Sequence, residues 1–367
     1  RCIYYIMIWN PFRIISKKFL GIDIGTASIK IVELSKWGER LKLENYGEVG
    51  VLTFYEKPFR TFEKSTLLLS SKEIAKAIRA VLDKTKINAK EAVFSIPDFS
   101  TFFTSIELPP MTQDEIPQAI KYEAHRHIPL PLAEVTLDWV VIEEEKFDHR
   151  KKGLKVLLVA VPTEIINQYQ EIAVMAQLKL VSLEAEVFGL ARSLASDKKG
   201  VVGIVDIGAQ STTVSVIQQG VLKMTHSFDI AGNELTRVLS QSLDISYKEA
   251  EDLKRERGLA APNKESSNGK NVKDILSPLV NSVLAETEKI FLNFKQMENK
   301  EVEKVILSGG AALLPGLKEY YAEWLKKEVE IANPFSHIFY PSILGETLKK
   351  MGPSYAIAVG MAMRGLD

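Results

Sequence analysis

The sequence predicts an α/β protein built from two related halves around one cleft, with a small α+β unit inserted into the first half. A length of 367 residues is enough for two or three domains with sizeable cores. One strand–turn–strand pattern occurs twice at a spacing of 183 residues, which is half the chain. Between the two copies lies a segment of about 90 residues with strands and helices of its own.

Composition and charge narrow the function classes. With 46% hydrophobic and 26% charged residues, the chain has the composition of a soluble globular protein. Its 47 basic residues balance its 47 acidic residues, which argues against a protein that coats nucleic acid. The single cysteine, Cys2, cannot form an internal disulfide or a thiolate zinc site, so a reducing, cytosolic setting fits best. The sequence contains no run of about 18 apolar residues that would span a membrane as a helix.

The N-terminal segment, residues 1–18, is predicted to be an arm outside the fold. The chain begins with Arg and Met7 follows closely, so we expect residues 1–6 to be an upstream extension. Two interpretations of the remaining basic and aromatic segment stay open. One is a tail packed beside the first strand, and the other is a segment that touches a membrane surface.

The repeated element has the pattern of a β-hairpin. Residues 20–34 align without a gap onto residues 203–217. In each copy an apolar strand leads into a turn of glycine and small polar residues, and a second strand with alternating apolar residues follows. Three pairs of residues coincide near the turn: Asp23 with Asp206, Gly25 with Gly208, and Ser28 with Ser211.

The residue types at these two turns favour binding of phosphate and magnesium. Glycine lets backbone N–H groups approach an anion closely, and hydroxyl side chains donate further hydrogen bonds. Mg²⁺ prefers a few carboxylates together with water and substrate phosphates. A single D-x-G pattern is better explained as a strand-ending turn, but two matching copies favour the site. The predicted phosphate-binding residues are Gly25, Thr26, Ser28, Lys30, Gly208, Gln210, Ser211 and Thr212, and the predicted metal residues are Asp23 and Asp206, through water.

Two later segments are candidates for contact with a nucleoside. An apolar strand runs into Gly309 and Gly310, which leave a flat backbone surface where a base or ribose can lie. On the charged amphipathic helix Tyr247–Gly258, Glu251 and Lys254 share one face and can contact ribose hydroxyls and the base. A solvated helix face remains the alternative for these two side chains.

The order of these motifs resembles the actin-like ATPase superfamily, which includes actin, the Hsp70 chaperones, sugar kinases and the division protein FtsA. In those families the two hairpins bind phosphates and the paired glycines border the adenosine. The resemblance implies an actin-like ATPase fold with ATP and Mg²⁺ as cofactors. It also implies that the nucleoside is bound by Gly232, Glu251, Lys254, Gly309 and Gly310.

The inserted segment, residues 92–181, distinguishes members of this superfamily. Its pattern is similar to the extra FtsA-like subdomain and predicts strands at 93–96, 103–108, 135–143 and 154–161 and helices at 112–127 and 163–176. Several segments also resemble the PilM family, cytosolic actin-like proteins of type IV pilus assembly: 107–111, 119–124, 128–139, 333–335 and 356–364.

The resemblance to that family implies partners and a location. It implies an ATP-binding adaptor that captures the cytoplasmic N-terminal tail of PilN beside the insert and is held at the inner membrane by this partner. Pilus assembly and retraction ATPases and other proteins of the inner-membrane platform are further expected partners, and nucleic acid is not. Helix 112–127 and its exit, Ile128–Leu132, are the candidate surface for the tail, with core packing as the alternative role. The expected regions are an arm (1–18), a first half (19–91 and 182–200), the insert (92–181) and a second half (201–367) with a helical subdomain at about 230–300.

Turnover of ATP is left open by the sequence. Hydrolysis needs a group that positions water in line with the γ-phosphate. By resemblance to the Glu-Pro motif of chaperones, Glu184 is the expected catalytic acid and Glu186 its alternate, although Ala185 stands where the motif has proline. A structural strand-end role is the other interpretation of both acids. An FtsA-like or other actin-like ATPase with turnover is the alternative function, whereas a sugar kinase would need a carboxylate base that we do not find.

The closing segment predicts a tightly packed helix. Small residues recur four apart, as in Ala358 and Ala362, which permits close approach to a neighbouring element. Pro353 is expected at the start of this helix, where proline is well tolerated. FtsA carries a C-terminal amphipathic membrane helix, and only Gly365–Asp367 follow Arg364, which argues against FtsA. Residues 257–273 are polar and turn-rich, so we expect a surface loop there.

Overall fold

The computed structural model describes residues 17–50, 60–61, 66–67, 69–112, 114–147, 151–260 and 271–366. Most of the predicted N-terminal arm and most of the predicted loop 257–273 lie outside these residues, so both remain expectations.

The first part of the chain forms an antiparallel meander followed by a helix and a parallel strand. Strands Lys18–Ile24 and Ser28–Trp37 of the meander are buried along nearly their whole length, as in a sheet that is covered on both faces. The helix begins at a capping box in which Ser70 and Glu73 each accept a hydrogen bond from the other's backbone N–H. The elements are β1 (Lys18–Ile24), β2 (Ser28–Trp37), β3 (Arg40–Gly50), β4 (Arg60–Thr61), β5 (Thr66–Leu67), α1 (Ser71–Thr85) and β6 (Glu91–Ile96).

A separate antiparallel sheet follows, with one helix packed on it. Ile116, Ile120 and Ala124 form the buried face of this helix and join the apolar side chains of the sheet in one core. The elements are a 3₁₀ turn (Asp98–Ser100), β7 (Phe102–Leu108), α2 (Ile116–His127), a second 3₁₀ turn (Leu132–Glu134), β8 (Val135–Phe147), β9 (Lys151–Pro162) and α3 (Thr163–Met175).

The chain then returns to the first half and continues into the second. Across the described residues, none of the helices combines the length and the apolar character that crossing a bilayer would need. The remaining elements are β10 (Lys179–Ala185), α4 (Glu186–Ala195), β11 (Val201–Ile207), β12 (Thr212–Gln218), β13 (Val221–Phe228), α5 (Gly232–Leu243), α6 (Tyr247–Arg257), α7 (Val272–Glu298), β14 (Lys304–Ser308), α8 (Leu317–Leu325), β15 (Glu328–Ile331), β16 (Ile338–Phe339), a 3₁₀ turn (Ser342–Leu344) and α9 (Gly345–Arg364).

The two large sheets share one strand order. The first sheet runs β10-β6-β1-β2-β3-β16 and the second runs β15-β14-β11-β12-β13. In both, an antiparallel meander of three strands pairs on one side with two parallel strands. The repeat found in the sequence therefore extends from the hairpins to whole sheets.

The expected insert, residues 92–181, contributes strands to two different sheets. Strand β6 pairs in parallel with β1 and β10, so it belongs to the first large sheet. Helix α3 packs its buried face into the first-half core together with α1. The independent sheet consists of β7, β9 and β8, in that order. Residue periodicity identified each element, but which sheet a strand joins depends on pairing partners that are distant in sequence.

The closing helix α9 packs as closely as its small residues predict. A Cβ on Gly21 would lie 1.9 Å from the Ala358 carbonyl oxygen, and one on Gly360 would lie 2.0 Å from the Gly189 carbonyl oxygen. The prediction for Pro353 is wrong, because α9 begins at Gly345 and contains this proline. The Pro353 carbonyl accepts a hydrogen bond from the Gly309 N–H at 2.9 Å, which ties the middle of the helix to the glycine turn.

Candidate functional site

The two hairpins end in turns of the same geometry. In the first, Asp23 pairs with Lys30 across the strands, and in the second Asp206 pairs with Thr213. The Gly25 N–H donates to the Ser28 carbonyl at 3.0 Å, and the Gly208 N–H donates to the Ser211 carbonyl at 2.9 Å. A Cβ on either glycine would lie within 3.0 Å of that carbonyl, so both turns favour glycine.

In the first half, a carboxylate and an ammonium flank the glycine turn. Asp23 is buried, and its Oδ1 accepts a hydrogen bond from the Ser95 hydroxyl at 2.9 Å. Its Oδ2 lies 3.9 Å, and the Lys30 Nζ 4.0 Å, from the point that a Cβ on Gly25 would occupy. The first turn therefore presents one negative and one positive group at the same place.

In the second half, Asp206 sits among other acids. Burial, and next the negative charge of Glu186, raise the pKa of Asp206 to about 7, with a smaller contribution from Asp23 in the same direction. Ser308, the neighbour of Asp206 in the β11–β14 register, and the positive charge of Lys30 both oppose this rise in pKa, while the Ser308 hydroxyl donates to the Pro353 carbonyl at 3.0 Å. These influences join residues of both halves, so the two turns face one cleft, as the sequence predicts.

The carboxylates of this cleft fit a hydrated cation. Across the described residues, no three His, Cys, Asp or Glu side chains come together as a metal-binding group. An ion that keeps most of its water needs fewer protein ligands, and Asp23 and Asp206 remain the predicted pair for it. A positive charge there would also stabilise the ionised form of Asp206. The Gln210 Oε1 is buried beside the second turn and accepts no hydrogen bond from the described residues.

The second turn is held by the segments predicted to contact a nucleoside. The Gly232 and Asn233 N–H groups at the start of α5 donate to the carbonyls of Gly208 and Ala209, at 3.0 and 2.7 Å. On the other side, the Ala311 N–H donates to the Ile207 carbonyl at 3.1 Å. Gly310 has open space where its Cβ would be. Gly232, Gly309 and Gly310 are thus brought to the turn, with an open backbone surface at Gly310.

Glu251 and Lys254 are paired with each other and with α5. The Lys254 Nζ donates to the Glu251 carboxylate at 2.6 Å, to the Thr236 hydroxyl at 2.7 Å and to the Gly232 carbonyl at 2.9 Å. Although burial opposes the shift, hydrogen bonds from Lys254 and Thr236 lower the pKa of Glu251 to about 2. Burial lowers the pKa of Lys254. The predicted nucleoside contacts therefore also anchor α6 to the start of α5, and their nucleoside role stays a prediction.

Thr212 does not face the cleft with the other predicted phosphate residues. Its side chain is fully buried, and its hydroxyl donates to the Ile230 carbonyl at 2.6 Å. The repeat offers the reason, because Thr212 aligns with Ile29, which is buried in the first-half core. Its hydroxyl is thus committed within the protein, and the geometry disfavours a phosphate contact.

The two candidate acids lie in different surroundings. Both oxygens of Glu184 accept hydrogen bonds from Arg192 at 2.7 Å, and Arg364 lies 3.8 Å away. Glu186 is the first residue of α4, is 6% exposed and acts on Asp206. The geometry therefore favours Glu186 over Glu184 as the catalytic acid, because Glu184 already forms a bidentate ion pair with Arg192.

Three residues at the cleft escaped the sequence prediction: Ser95, Ser308 and Asp98. Each follows or ends a parallel strand beside a hairpin. Ser95 donates a hydrogen bond to Asp23, Ser308 lies beside Asp206 in the β11–β14 register, and Asp98 accepts a hydrogen bond from the Val187 N–H at 3.0 Å. The signal available was a polar residue at the end of an apolar strand, since carboxyl ends of parallel strands meet at one edge.

Comparisons with solved structures confirm the predicted actin-like ATPase fold. The PilM–PilN type IV pilus biogenesis complex superposes with a TM-score of 0.80 at 22% identity, over 95% of this chain and 98% of that chain. MreB5 of Spiroplasma citri bound to AMPPNP superposes with a TM-score of 0.55 at 12% identity, over 95% of each chain.

Sequence comparisons identify the family. The cell division protein FtsA of Enterococcus faecalis is 23% identical over 358 residues, which covers 86% of this chain and 78% of the relative. FtsA of Bacillus subtilis is 28% identical over 158 residues, 39% of this chain and 36% of the relative. A family profile described as type IV pilus assembly protein PilM matches residues 21–366, both halves and the insert included. The chain therefore belongs to the PilM family of type IV pilus assembly proteins.

Proposed function

We propose that this protein is an ATP- and Mg²⁺-binding adaptor of the type IV pilus inner-membrane platform, which captures the cytoplasmic N-terminal tail of PilN. The observation that carries the nucleotide part is the convergence of two glycine turns, each with an aspartate beside it, on one cleft. Family membership and the fold shared with the PilM–PilN complex support the partner.

Each group at the cleft has a role in this proposal. Backbone N–H groups of the two turns and the Lys30 ammonium bind phosphate oxygens. Asp23 and Asp206 hold the hydrated Mg²⁺, which neutralises phosphate charge. Ser95 fixes the Asp23 carboxylate by a hydrogen bond. Gly310 leaves an open backbone surface for the nucleoside.

The partner surface is proposed on the insert. Tyr122 on α2 and Leu130 after it are 70% and 43% exposed, whereas Ile120 and Ala124 are buried in the insert core. Tyr122 and Leu130 are therefore available to a peptide. Ile120 and Ala124 instead have the core-packing role, which was the alternative in the sequence analysis. Capture of PilN would place the protein at the cytoplasmic side of the inner membrane, next to the pilus ATPases and other platform proteins.

Isothermal titration with Mg-ATP tests the nucleotide site. Replacing both aspartates, Asp23→Asn with Asp206→Asn, should weaken binding by about tenfold or more, because the cation loses its ligands. The control is Asp244→Asn, the same chemical change at an exposed residue that ends α5. Equal affinity in the double variant and the control would remove the site assignment.

Capture of a PilN tail peptide on the purified protein tests the partner. We expect retention by the wild type and weaker retention by Tyr122→Ala with Leu130→Ala. Val174→Ala, a change at a 76% exposed residue of α3, is the control. Absence of peptide binding both with and without Mg-ATP would refute the adaptor function.

A second candidate is an actin-like ATPase with turnover, as in the FtsA-like alternative. It is favoured by Glu186, a buried acid that acts on Asp206. If the protein hydrolyses ATP, Glu186→Gln should slow phosphate release by about 10²-fold, since a group that orients water is lost. Glu184→Gln should have a much smaller effect, and similar rates for both variants would contradict the assignment to Glu186.

A further inference from the structure

The 3₁₀ turn Asp98–Ser100 connects the first large sheet to the insert. It follows β6 and leads directly into β7. The Pro97 carbonyl accepts hydrogen bonds from the Ser100 N–H at 3.1 Å and from the hydroxyls of Ser100 and Thr101 at 2.9 and 3.0 Å. Asp98 and Ser100 are both buried. A buried turn with several internal hydrogen bonds transmits displacement instead of absorbing it.

Asp98 and the start of α4 bind each other reciprocally. The Asp98 Oδ1 accepts from the Val187 N–H at 3.0 Å, and the Asp98 N–H donates to the Glu186 Oε2 at 3.3 Å. The residue preceding α4 is Ala185, whose side chain cannot cap a helix. Asp98, in the turn that leads to the insert, therefore provides the N-terminal cap that Ala185 cannot provide for α4.

The same turn touches the cleft and the second half. Glu186, which Asp98 holds, acts on Asp206 of the second half. The turn also packs against β13, and the Phe103 and Phe188 rings place β7 of the insert on α4 with centroids 6.2 Å apart. Movement of the insert therefore reaches the start of α4 by two routes, the aromatic contact and the Asp98 cap.

We propose that Asp98 is a positioning residue that holds Glu186 at the cleft and thereby couples nucleotide occupancy to peptide binding on the insert. This inference rests on the proposed function, because it assumes a nucleotide in the cleft and a peptide on the insert. Coupling of this kind is reciprocal. If the nucleotide changes the affinity for the peptide by some factor, the peptide changes the affinity for the nucleotide by the same factor.

The test measures the affinity of a PilN tail peptide with and without Mg-ATP, by fluorescence anisotropy on the full chain. For the wild type we expect the two affinities to differ by about fivefold or more, the usual scale of coupling between sites. In Asp98→Ala, the ratio of the peptide affinities with and without Mg-ATP should be close to one. Asp98→Asn should restore it, because the amide oxygen still accepts from the Val187 N–H. Asp83→Ala, at an exposed residue of α1, is the matched control.

A double variant separates positioning from general destabilisation. If Asp98 acts through Glu186, adding Asp98→Ala to Glu186→Gln should change the ratio no further than Glu186→Gln alone. Retention of the wild-type ratio in Asp98→Ala, or no rescue by Asp98→Asn, would overturn the inference while leaving the adaptor function intact. A wild-type ratio of one with both ligands bound overturns it too. Wild-type protein that binds neither ligand refutes the proposed function itself.

Discussion

Asp23 and Asp206 occupy the same position in two hairpins of the same register, yet the residue opposite is Lys30 in the first hairpin and Thr213 in the second. Thr213 instead faces a hydroxyl of the neighbouring strand β13, with its Oγ1 2.8 Å from the Ser227 Oγ. The pKa of Asp206 is raised to about 7 by burial and by Glu186, with Lys30 only partly opposing. The duplication thus preserved a backbone while the charges around its two aspartates diverged.

The two hairpins also differ in what covers them. Gly21 of β1 lies against the backbone of α9, whereas the aligned residue in β11 is Ile204, a buried core side chain. A helix can approach the first hairpin to backbone distance because no side chain intervenes. The shared backbone therefore allows two kinds of packing, and substitutions at matching positions should have unequal effects.

The largest expected effect comes from adding one methyl group to the first hairpin. Gly21→Ala should lower the free energy of unfolding by about 3 kcal/mol or more, because its Cβ would overlap the Ala358 carbonyl. Gly345→Ala is the control, since nothing lies near its Cβ at the start of α9, and it should be neutral or slightly stabilising. Urea unfolding measures both, and equal stabilities would contradict the close packing.

The next effect depends on pH and concerns the second hairpin. The folded pKa of Asp206, about 7, exceeds its ordinary value of 3.8, so the folded protein keeps a proton that the unfolded chain releases. The protonated Asp206 carboxyl therefore contributes fully to the free energy of unfolding below about pH 4, and this contribution is lost as the pH rises to about 7. Without Mg²⁺ and nucleotide, Asp206→Asn should be more stable than wild type by about 2 kcal/mol at pH 8 and equal to it near pH 3.

Unfolding curves at several pH values, with Asp244→Asn as the control, measure this difference. A constant difference between Asp206→Asn and wild type across the pH range would show that Asp206 does not titrate as described.

A smaller effect separates a buried hydroxyl from a phosphate contact. Thr212→Val should cost about 1–2 kcal/mol, because the Ile230 carbonyl loses its donor. Mg-ATP affinity should stay within about twofold of wild type, as the hydroxyl faces the protein interior. Ile29→Val probes the matching position of the first hairpin, where only packing is lost. A large loss of nucleotide affinity in Thr212→Val would restore the original prediction for this residue.

The smallest effect should be the same in both halves. Ser70→Ala at α1 and Ser246→Ala at α6 each remove a capping box, and each should cost about 1 kcal/mol. Thermal unfolding monitored by circular dichroism compares the two. Clearly unequal losses would show that one of these helix ends is supported by contacts beyond its cap.

The sequence was most informative where local chemistry decides structure. The hairpins follow from alternating apolar residues around a glycine turn, and their equivalence follows from the fixed offset between Asp23 and Asp206. The same offset would have identified Thr212 as a buried residue, because it aligns with Ile29. That information was present in the repeat but competed with the general rule that hydroxyl groups bind phosphate.

Other features depend on tertiary contacts that no local pattern contains. The choice between Glu184 and Glu186 depends on where β10 ends and α4 begins, and on Arg192 reaching back to Glu184. The pairing of Lys254 with the Gly232 carbonyl requires α5 and α6 to be in contact. Pro353 was expected to start a helix, yet tertiary packing keeps it inside α9.

The contact between Gly21 and Ala358 has a consequence for the order of biosynthesis. These residues lie near opposite ends of the described chain, and α9 is the last helix of that chain to be synthesised. The strands of the first hairpin are therefore made early but keep one apolar face uncovered until α9 has been synthesised. Nascent chains of this protein should expose that face on the ribosome, where contacts with chaperones or early pairing with other strands compete with α9.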